Sequence, residues 1–303
     1  MRVRRWFTNG VLIAAVAGLA AAALPAAAAA NARARSMGTG GGLTADFTGD
    51  GFPDLLVRER GTGKLKVHVH SGTFDGTATY SRVATINAGW QNMRWIGAMD
   101  LTGDGLADVV AIDQSWRMVV AVHSGHFDGL NTLRPGLTVV GYNWNINNLV
   151  TVTPVGLLAR RADTGAIYQY QSTGLHGTGT FQPPELVGVA TYDSHATDVF
   201  VTYAYLGPDR EALLFITAAG DLYARNPLNP TERVLLGTRW DTRNSYAMTD
   251  INQDGYPDIM ARIDHVLQVY PSSQADPWAG DPLATYPGNK DIGYGFDTYD
   301  VIT

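Results

Sequence analysis

The chain has 303 residues, a formal net charge of -6 and no cysteine. The lack of cysteine excludes disulfides, thiolate metal sites and a lipid-modified N-terminal cysteine. An acidic chain is also a poor partner for nucleic acid, because binding to phosphates depends on clustered Lys and Arg.

The first 30 residues have the three parts of a signal peptide. Arg2, Arg4 and Arg5 form a basic start, residues 11–24 are apolar, and residues 26–30 are alanines that offer cleavage sites. A membrane anchor is the alternative, because the apolar run approaches the roughly 20 residues that span a bilayer. Alanine is only weakly hydrophobic, which favours cleavage. We therefore predict a signal peptide over residues 1–30, with Sec and twin-arginine export both open, a flexible segment over 31–42 and a secreted domain over 43–303.

Three segments of that domain align without gaps. They are DFTGDGFPDLLVR from Asp46, DLTGDGLADVVAI from Asp100 and DINQDGYPDIMAR from Asp250. Each joins an Asp- and Gly-rich loop to a run of β-forming residues, which predicts a turn that enters a strand. Apolar runs from Gly156 and Ala212 have the same phase but lack the acidic loop. The chain therefore contains five repeat units, with equivalent strand positions at Leu55, Val109, Leu157, Leu213 and Ile259.

Each unit continues with further β-forming runs, and no helical period follows the signal segment. Four short strands in each repeat of roughly 50 residues are typical of β-propeller blades. Residues 293–303 resemble the segment from Gly89 that leads into the second acidic loop, whereas no clear strand of this type precedes the first loop. We therefore predict an all-β propeller of four-stranded antiparallel blades whose C-terminal strand closes the first blade. Five blades are the favoured number, and six are the alternative.

The three acidic loops have side-chain oxygens at positions 1, 3, 5 and 9 and glycine at position 6. Calcium takes six to eight oxygen ligands, and glycine permits the sharp turn of a short loop around it. Position 12, a glutamate in EF-hands, is Val57, Ala111 or Ala261, so calcium-binding β-hairpins are predicted instead. The alternative is ordinary turn chemistry, in which Asp and Gly serve only the backbone. With the carbonyl of position 7 included, the predicted ligands of three Ca2+ ions are Asp46, Thr48, Asp50, Phe52, Asp54, Asp100, Thr102, Asp104, Leu106, Asp108, Asp250, Asn252, Asp254, Tyr256 and Asp258.

These loops resemble those of FG-GAP or VCBS repeats, which occur in integrin α-subunit propellers, secreted bacterial proteins and some fungal propeller lectins. The resemblance extends over essentially the whole mature chain. It implies a propeller fold and ions held at loop positions 1, 3, 5 and 9. Thr48 and Thr102 differ from the usual Asp or Asn at position 3, which implies weaker binding at those two loops.

Other residues also recur between units. The segments VHSGTFDG from Val69 and VHSGHFDG from Val122 are interpreted as tight turns between outer strands. Their side chains could alternatively form a second metal or sugar site, made of His70, Asp75, His123, His126 and Asp128. Aromatic residues that precede the blades are expected to pack in the core, with sugar stacking as the alternative: Trp90, Tyr142, Trp240 and Tyr294. Arginines at a shared repeat position after the apolar pair are expected to bridge to a neighbouring blade, with anion binding as the alternative: Arg58, Arg160 and Arg262.

The sequence contains no nucleophile elbow, zinc-binding helix motif or phosphate loop, and we assign no catalytic residue. We expect a secreted, monomeric, calcium-binding propeller that acts as a non-catalytic binding module for extracellular carbohydrate or protein. Neither nucleic-acid binding nor stable membrane insertion after signal cleavage is expected. The alternatives are a polysaccharide-acting glycoside hydrolase and a purely structural or adhesive protein.

Overall fold

The computed structural model describes residues 45–153, 156–188, 200–206, 210–227, 229–240 and 245–303. The predicted signal peptide and flexible segment lie outside the described residues. In the described ranges the regular structure consists of twenty β-strands and short 3-10 turns. None of the helical segments in these ranges is long and apolar enough to cross a bilayer.

The strands form five antiparallel sheets of four strands, so the predicted five-bladed propeller is confirmed. Blade 1 contains β1 (Leu55–Glu59), β2 (Leu65–His70), β3 (Tyr80–Asn87) and β20 (Tyr299–Ile302). Blade 2 contains β4 (Trp95–Met99), β5 (Asp108–Ile112), β6 (Met118–Ala121) and β7 (Thr138–Gly141). Blade 3 contains β8 (Asn147–Thr153), β9 (Gly156–Arg161), β10 (Ile167–Gln171) and β11 (Glu185–Gly188). Blade 4 contains β12 (Phe200–Leu206), β13 (Arg210–Ile216), β14 (Leu222–Asn226) and β15 (Asn229–Gly237). Blade 5 contains β16 (Ser245–Thr249), β17 (Asp258–Ile263), β18 (Val266–Tyr270) and β19 (Lys290–Tyr294).

The C-terminal strand β20 closes the ring as predicted. It pairs antiparallel with β1, with Ile302 opposite Val57. Backbone bonds of 2.9 Å join Leu56 and Thr303 in both directions. Blade 1 is therefore built from both ends of the described chain, which leaves β1 with partners on both sides.

The core lies between the blades, because the second strand of each sheet is buried on both faces. In β5, Val109 and Ala111 pack towards blade 1, whereas Val110 and Ile112 pack towards blade 3. The same alternation places Leu56 against blade 2 and its neighbours on β1 against blade 5. A strand that is buried on both faces has an unbroken apolar sequence. The second strands are therefore the part of the repeat that is most easily recognised in the sequence.

Two connections of each blade lie at the same end of the ring, because antiparallel strands reverse direction at every turn. They are the loops between first and second strands and the turns between third and fourth strands; we call this end the loop face. Four blades have a 3-10 turn in the second kind of connection, at Gly76–Ala78, Gly129–Asn131, Gly177–Gly179 and Pro282–Ala284. Each turn packs on the fourth strand of the preceding blade, namely β19, β3, β7 and β15 respectively. The near-identical segments from Val69 and Val122 are thus connections between outer strands, as predicted.

The aromatic repeat lies two residues later than predicted in two of the four units. Tyr142 and Tyr294 are 59% and 60% exposed, so the prediction that they pack in the core is wrong. The buried equivalents of Trp90 and Trp240 are Trp144 and Phe296. All four donate their backbone N–H to the turn between the second and third strands of their own blade. In blades 1, 2, 4 and 5 the aromatic side chain thereby covers the end of the sheet opposite the loop face.

The recurring arginines lie in the second strands, but the prediction of a salt bridge to a neighbouring blade is wrong for Arg58. Its carboxylate partner is Asp300, at 2.8 Å, on β20 of the same blade. Arg58 also donates to the carbonyl oxygens of Trp90 and Met93 in the connection to blade 2. The guanidinium therefore ties the closing strand to the next blade.

Candidate metal centre: three acidic loops

The three acidic loops lie side by side on the loop face. Loop 1 (residues 46–54) precedes β1, loop 2 (residues 100–108) joins β4 to β5, and loop 3 (residues 250–258) joins β16 to β17. They belong to blades 1, 2 and 5, which are consecutive in the closed ring. The predicted ligands therefore form one continuous arc of the loop face.

The position-1 aspartates organise the first half of each loop. The carboxylate of Asp46 accepts the N–H groups of Gly49 at 2.6 Å and Gly51 at 2.8 Å. Asp100 and Asp250 make the same bond to the position-6 glycines of loops 2 and 3, each at 2.9 Å. These glycines have φ of +85°, +87° and +90°, a backbone region that other residues enter only with strain. The glycine requirement predicted from the sequence is thus a requirement of the backbone.

The position-9 aspartates are buried and join each loop to the third strand of its blade. In loop 1, Oδ2 of Asp54 accepts the N–H groups of Phe47 and Thr48, at 2.9 and 3.1 Å. Its Oδ1 accepts the N–H of His70 at 2.9 Å. Asp108 repeats this arrangement with Leu101, Thr102 and His123, and Asp258 repeats it with Ile251 and Ser272.

The position-5 aspartates lie at the more open side of the loops. Asp50, Asp104 and Asp254 each use Oδ1 to accept the N–H of position 7, at 2.9 to 3.0 Å. Asp50 and Asp104 are exposed, so their side chains can turn without disturbing the core. The position-3 side chains contact different loop positions, since Thr48 Oγ1 lies 3.4 Å from Oδ1 of Asp46 at position 1 and Asn252 Nδ2 lies 3.1 Å from Oδ2 of Asp254 at position 5.

Negative charge is unfavourable at position 9. Burial, with a contribution from the carboxylates of Asp46 and Asp50, raises the pKa of Asp54 to about 7 against the opposing effect of the backbone N–H donors. Burial and Asp100 raise the pKa of Asp108 to about 6. Asp258 behaves as Asp54 does, with a pKa of about 7 that Asp254 and Asp250 help to raise. The carboxylates of each loop are therefore close enough to repel one another.

The donor chemistry of the loops fits a hard cation, since carboxylate and hydroxyl oxygens are what calcium prefers. The carboxylates are turned towards backbone N–H groups, and no group of three or more His, Asp or Glu side chains that could share a metal ion occurs in the described part of the chain. The same hydrogen bonds are what ordinary turn chemistry would produce. The fifteen predicted ligands thus remain a prediction.

Contacts between neighbouring loops were not predicted from the sequence. The N–H of Ala107 in loop 2 donates to the carbonyl of Asp46 in loop 1 at 2.7 Å. The side chain of Gln253 in loop 3 donates to the carbonyl of Gly51 at 2.5 Å. His123 also reaches loop 1, with Nε2 3.1 Å from the carbonyl oxygen of Phe47. The near identity of the segments around His70 and His123 was the signal in the sequence, but spacing alone does not reveal which loop a side chain meets.

Comparisons with known proteins bear on the family of the chain. Residues 46–111, which contain loops 1 and 2, match the FG-GAP-like repeat family. No curated protein matches the chain. Among solved structures, the chain is similar to an Agrocybe aegerita lectin described by its specific recognition of non-reducing terminal N-acetylglucosamine, with 15% identity and a TM-score of 0.43 over 84% of this chain and 80% of that chain. The family match of residues 46–111 and the five closed blades support the predicted FG-GAP/VCBS-type β-propeller.

Proposed function

We propose that this propeller binds calcium at its three acidic loops and acts as a rigid, non-catalytic binding module for extracellular carbohydrate or protein. The observation that carries the calcium proposal is the recurrence, in three consecutive blades, of a buried position-9 carboxylate with further carboxylates beside it. Bound calcium would neutralise this mutual repulsion. The residues that would hold it are the fifteen predicted ligands at positions 1, 3, 5, 7 and 9.

The exposed aromatic residues support a binding role. Tyr142 and Tyr294 occupy equivalent places in blades 2 and 5, each directly after the glycine that packs on Trp144 or Phe296. Both lie on the end of the ring opposite the loop face, with more than half of each residue exposed. Tyrosine combines an apolar ring with a hydroxyl group and is frequent at binding surfaces. We infer that docking occurs on this end, while the loop face supplies rigidity.

The geometry of the acidic loops does not favour the glycoside hydrolase alternative. Hydrolysis needs a carboxylic acid of raised pKa that can reach the glycosidic bond, with a second carboxylate across it. Asp54 and Asp108 have raised pKa values, but they are 3% and 0% exposed. Both oxygens of each carboxylate accept backbone N–H bonds. These acids are therefore placed to hold a loop together and have no access to a sugar.

We further propose that the protein is exported, with residues 1–30 removed as a signal peptide. The support is the order of basic, apolar and small residues at the N-terminus. Mass determination of the protein secreted by an expressing host tests this, since retention of residues 1–30 would contradict it.

Calcium is expected to raise the melting temperature of protein that has first been treated with a chelator. If each site has a Kd of about 0.1 to 1 mM, as extracellular modules often do, 10 mM calcium adds roughly 1.4 to 2.7 kcal/mol per site to the free energy of unfolding. Asp50→Ala, Asp104→Ala and Asp254→Ala should each remove at least about a third of the total rise, because each disables one of the three loops. Differential scanning calorimetry at several calcium concentrations measures the effect.

Asp75→Ala is the matched control, because Asp75 is an exposed aspartate on the same face but outside the loops. Its calcium-dependent rise should equal that of the unmutated protein. An unchanged melting temperature of the unmutated protein over this calcium range would refute the calcium proposal.

A glycan array probed with and without chelator then tests the docking role. Release of sugar without retention on the array would favour hydrolysis instead.

A further inference from the structure

His123 connects two adjacent acidic loops. Its backbone N–H donates to Oδ1 of Asp108 in loop 2 at 2.7 Å. Its Nδ1 accepts the N–H of Gly125 at 3.0 Å, so the ring proton is on Nε2. Nε2 lies 3.1 Å from the carbonyl oxygen of Phe47 in loop 1. One buried residue thus holds the position-9 carboxylate of its own blade and the position-2 carbonyl of the preceding blade.

The connection continues through loop 1 towards loop 3. The N–H of Phe47 donates to Asp54, and the other carboxylate oxygen of Asp54 accepts the N–H of His70. Nε2 of His70 is buried and has no partner at hydrogen-bond distance among the described residues. It lies near the carbonyl of Ile251 in loop 3, whose effect on the pKa of His70 opposes that of burial. His123 therefore forms a hydrogen bond between loops 2 and 1, whereas the His70 side chain forms no hydrogen bond to loop 3 among the described residues.

Histidine occurs where a blade with an acidic loop follows another such blade. The equivalent residue is Ser172 in blade 3 and Ser272 in blade 5. Each serine hydroxyl accepts the N–H two residues later, as Nδ1 of the histidines does. Ser272 also donates its own N–H to Asp258. Serine thus makes the hydrogen bonds within its own blade that this position requires. A histidine side chain is longer, and it can also contact the loop of the neighbouring blade.

We propose that the loops of blades 5, 1 and 2 bind calcium cooperatively, with His123 and His70 as the residues that couple neighbouring loops. This inference rests on the proposed calcium function and concerns how the sites act together. Ordering a loop costs conformational entropy, and a loop already held by an ordered neighbour costs less to order. The direct contacts from Ala107 to Asp46 and from Gln253 to Gly51 act in the same direction.

The test uses His123→Ser in the full mature chain, with calcium alone as the ligand. Position-6 glycine amides report each loop separately, because Gly51, Gly105 and Gly255 each donate to the position-1 carboxylate of their own loop. With His123 present, Asp104→Ala in loop 2 should weaken calcium binding at loop 1 by about fivefold or more, the lower range of allosteric coupling. In the His123→Ser background the same Asp104→Ala change should alter binding at loop 1 by less than about twofold. Amide NMR titrations of the four proteins give these values.

His126→Ser is the matched control, because His126 is an exposed histidine whose backbone hydrogen bonds, to Ser124, stay within the same turn. It should preserve the full coupling between loops 2 and 1. Equal effects of Asp104→Ala in the unmutated and the His123→Ser backgrounds would overturn the coupling proposal, while the calcium proposal would stand. If no loop responds to calcium, the calcium proposal itself fails. Circular dichroism of His123→Ser verifies the fold, for which serine at the equivalent positions of blades 3 and 5 is the precedent.

Discussion

A chain truncated after Thr298 is expected to lose cooperative folding at 37 °C. The truncation removes β20, whose Ile302 is 7% exposed and packs with Leu55 and Val57 of β1. Burial of one such side chain contributes about 1.5 to 3 kcal/mol. The truncation also removes the backbone partners of Leu56 and the carboxylate partner of Arg58. The total approaches the roughly 5 to 15 kcal/mol that stabilises a typical domain.

Urea denaturation followed by tryptophan fluorescence measures this effect. The control is full-length Val301→Thr, which keeps the strand and alters a half-buried side chain of similar shape. It should cost no more than about 1 kcal/mol of unfolding free energy, as expected for a moderate substitution. A truncated chain that unfolds in a single transition at the midpoint of the full-length protein would show that the ring does not depend on β20.

The positions of the second strands in the repeat were predictable because both faces of each second strand are buried. Leu55, Val109, Leu157, Leu213 and Ile259 therefore lie in long apolar runs that stand out from a polar surrounding sequence. Ring closure was predictable for a related reason, since residues 293–303 resemble a first strand that has no blade of its own. Both inferences use the sequence pattern of a single strand, which recurs from one repeat unit to the next.

Side-chain contacts between residues that are far apart in the sequence were not predictable. Arg58 and Asp300 are 242 positions apart, and nothing in the repeat pairs them. The prediction of buried aromatic residues was wrong at Tyr142 and Tyr294 because each of these two units has an aromatic residue at two nearby positions. Close packing decides between them: a Cβ on Gly141 would lie 2.5 Å from Nε1 of Trp144, so the indole fills the place that the glycine leaves open.

For the acidic loops, the sequence predicts candidate ligands but not how their side chains are held. The position-9 aspartates are predicted ligands, and in the structure they accept N–H bonds from residues at the end of the third strand or just after it. That strand is separated from the loop by the whole second strand and its turn. A gap-free alignment of the loops contains no information about this contact, because the partner is a backbone group that every residue type except proline possesses.

The closure is also expected to be sensitive to acid through His68. This buried histidine of β2 packs on Phe296 and Tyr299 of the C-terminal segment, with ring centroids 4.9 and 5.4 Å away. Its Nε2 lies 3.2 Å from the Tyr299 hydroxyl. Burial, with a contribution from Lys66, lowers the pKa of His68 to about 4. The folded state therefore keeps this ring neutral.

The direction of the pH effect follows from this shift. Above pH 6.5 the ring is neutral in both states and has no effect on stability. As the pH falls below 6.5, His68 becomes protonated in the unfolded chain but stays neutral in the folded chain. The free energy of unfolding therefore decreases until about pH 4. Between pH 7.5 and 4.5 the expected loss is about 2 to 3 kcal/mol. His68→Phe should remove this loss, because phenylalanine fills a similar space and does not titrate.

Urea denaturation of both proteins at several pH values, in the presence of chelator, gives the difference. The aspartates with raised pKa titrate in the same range, but their contribution is common to both proteins and cancels in the comparison. His126→Gln is the control, because it removes an exposed histidine that lies outside the closure, and its pH profile should follow that of the unmutated protein. Parallel pH profiles for the unmutated protein and His68→Phe would show that proton uptake at His68 does not weaken the closure. A loss confined to the unmutated protein and His126→Gln would instead place the acid-sensitive step where β20 meets the first blade.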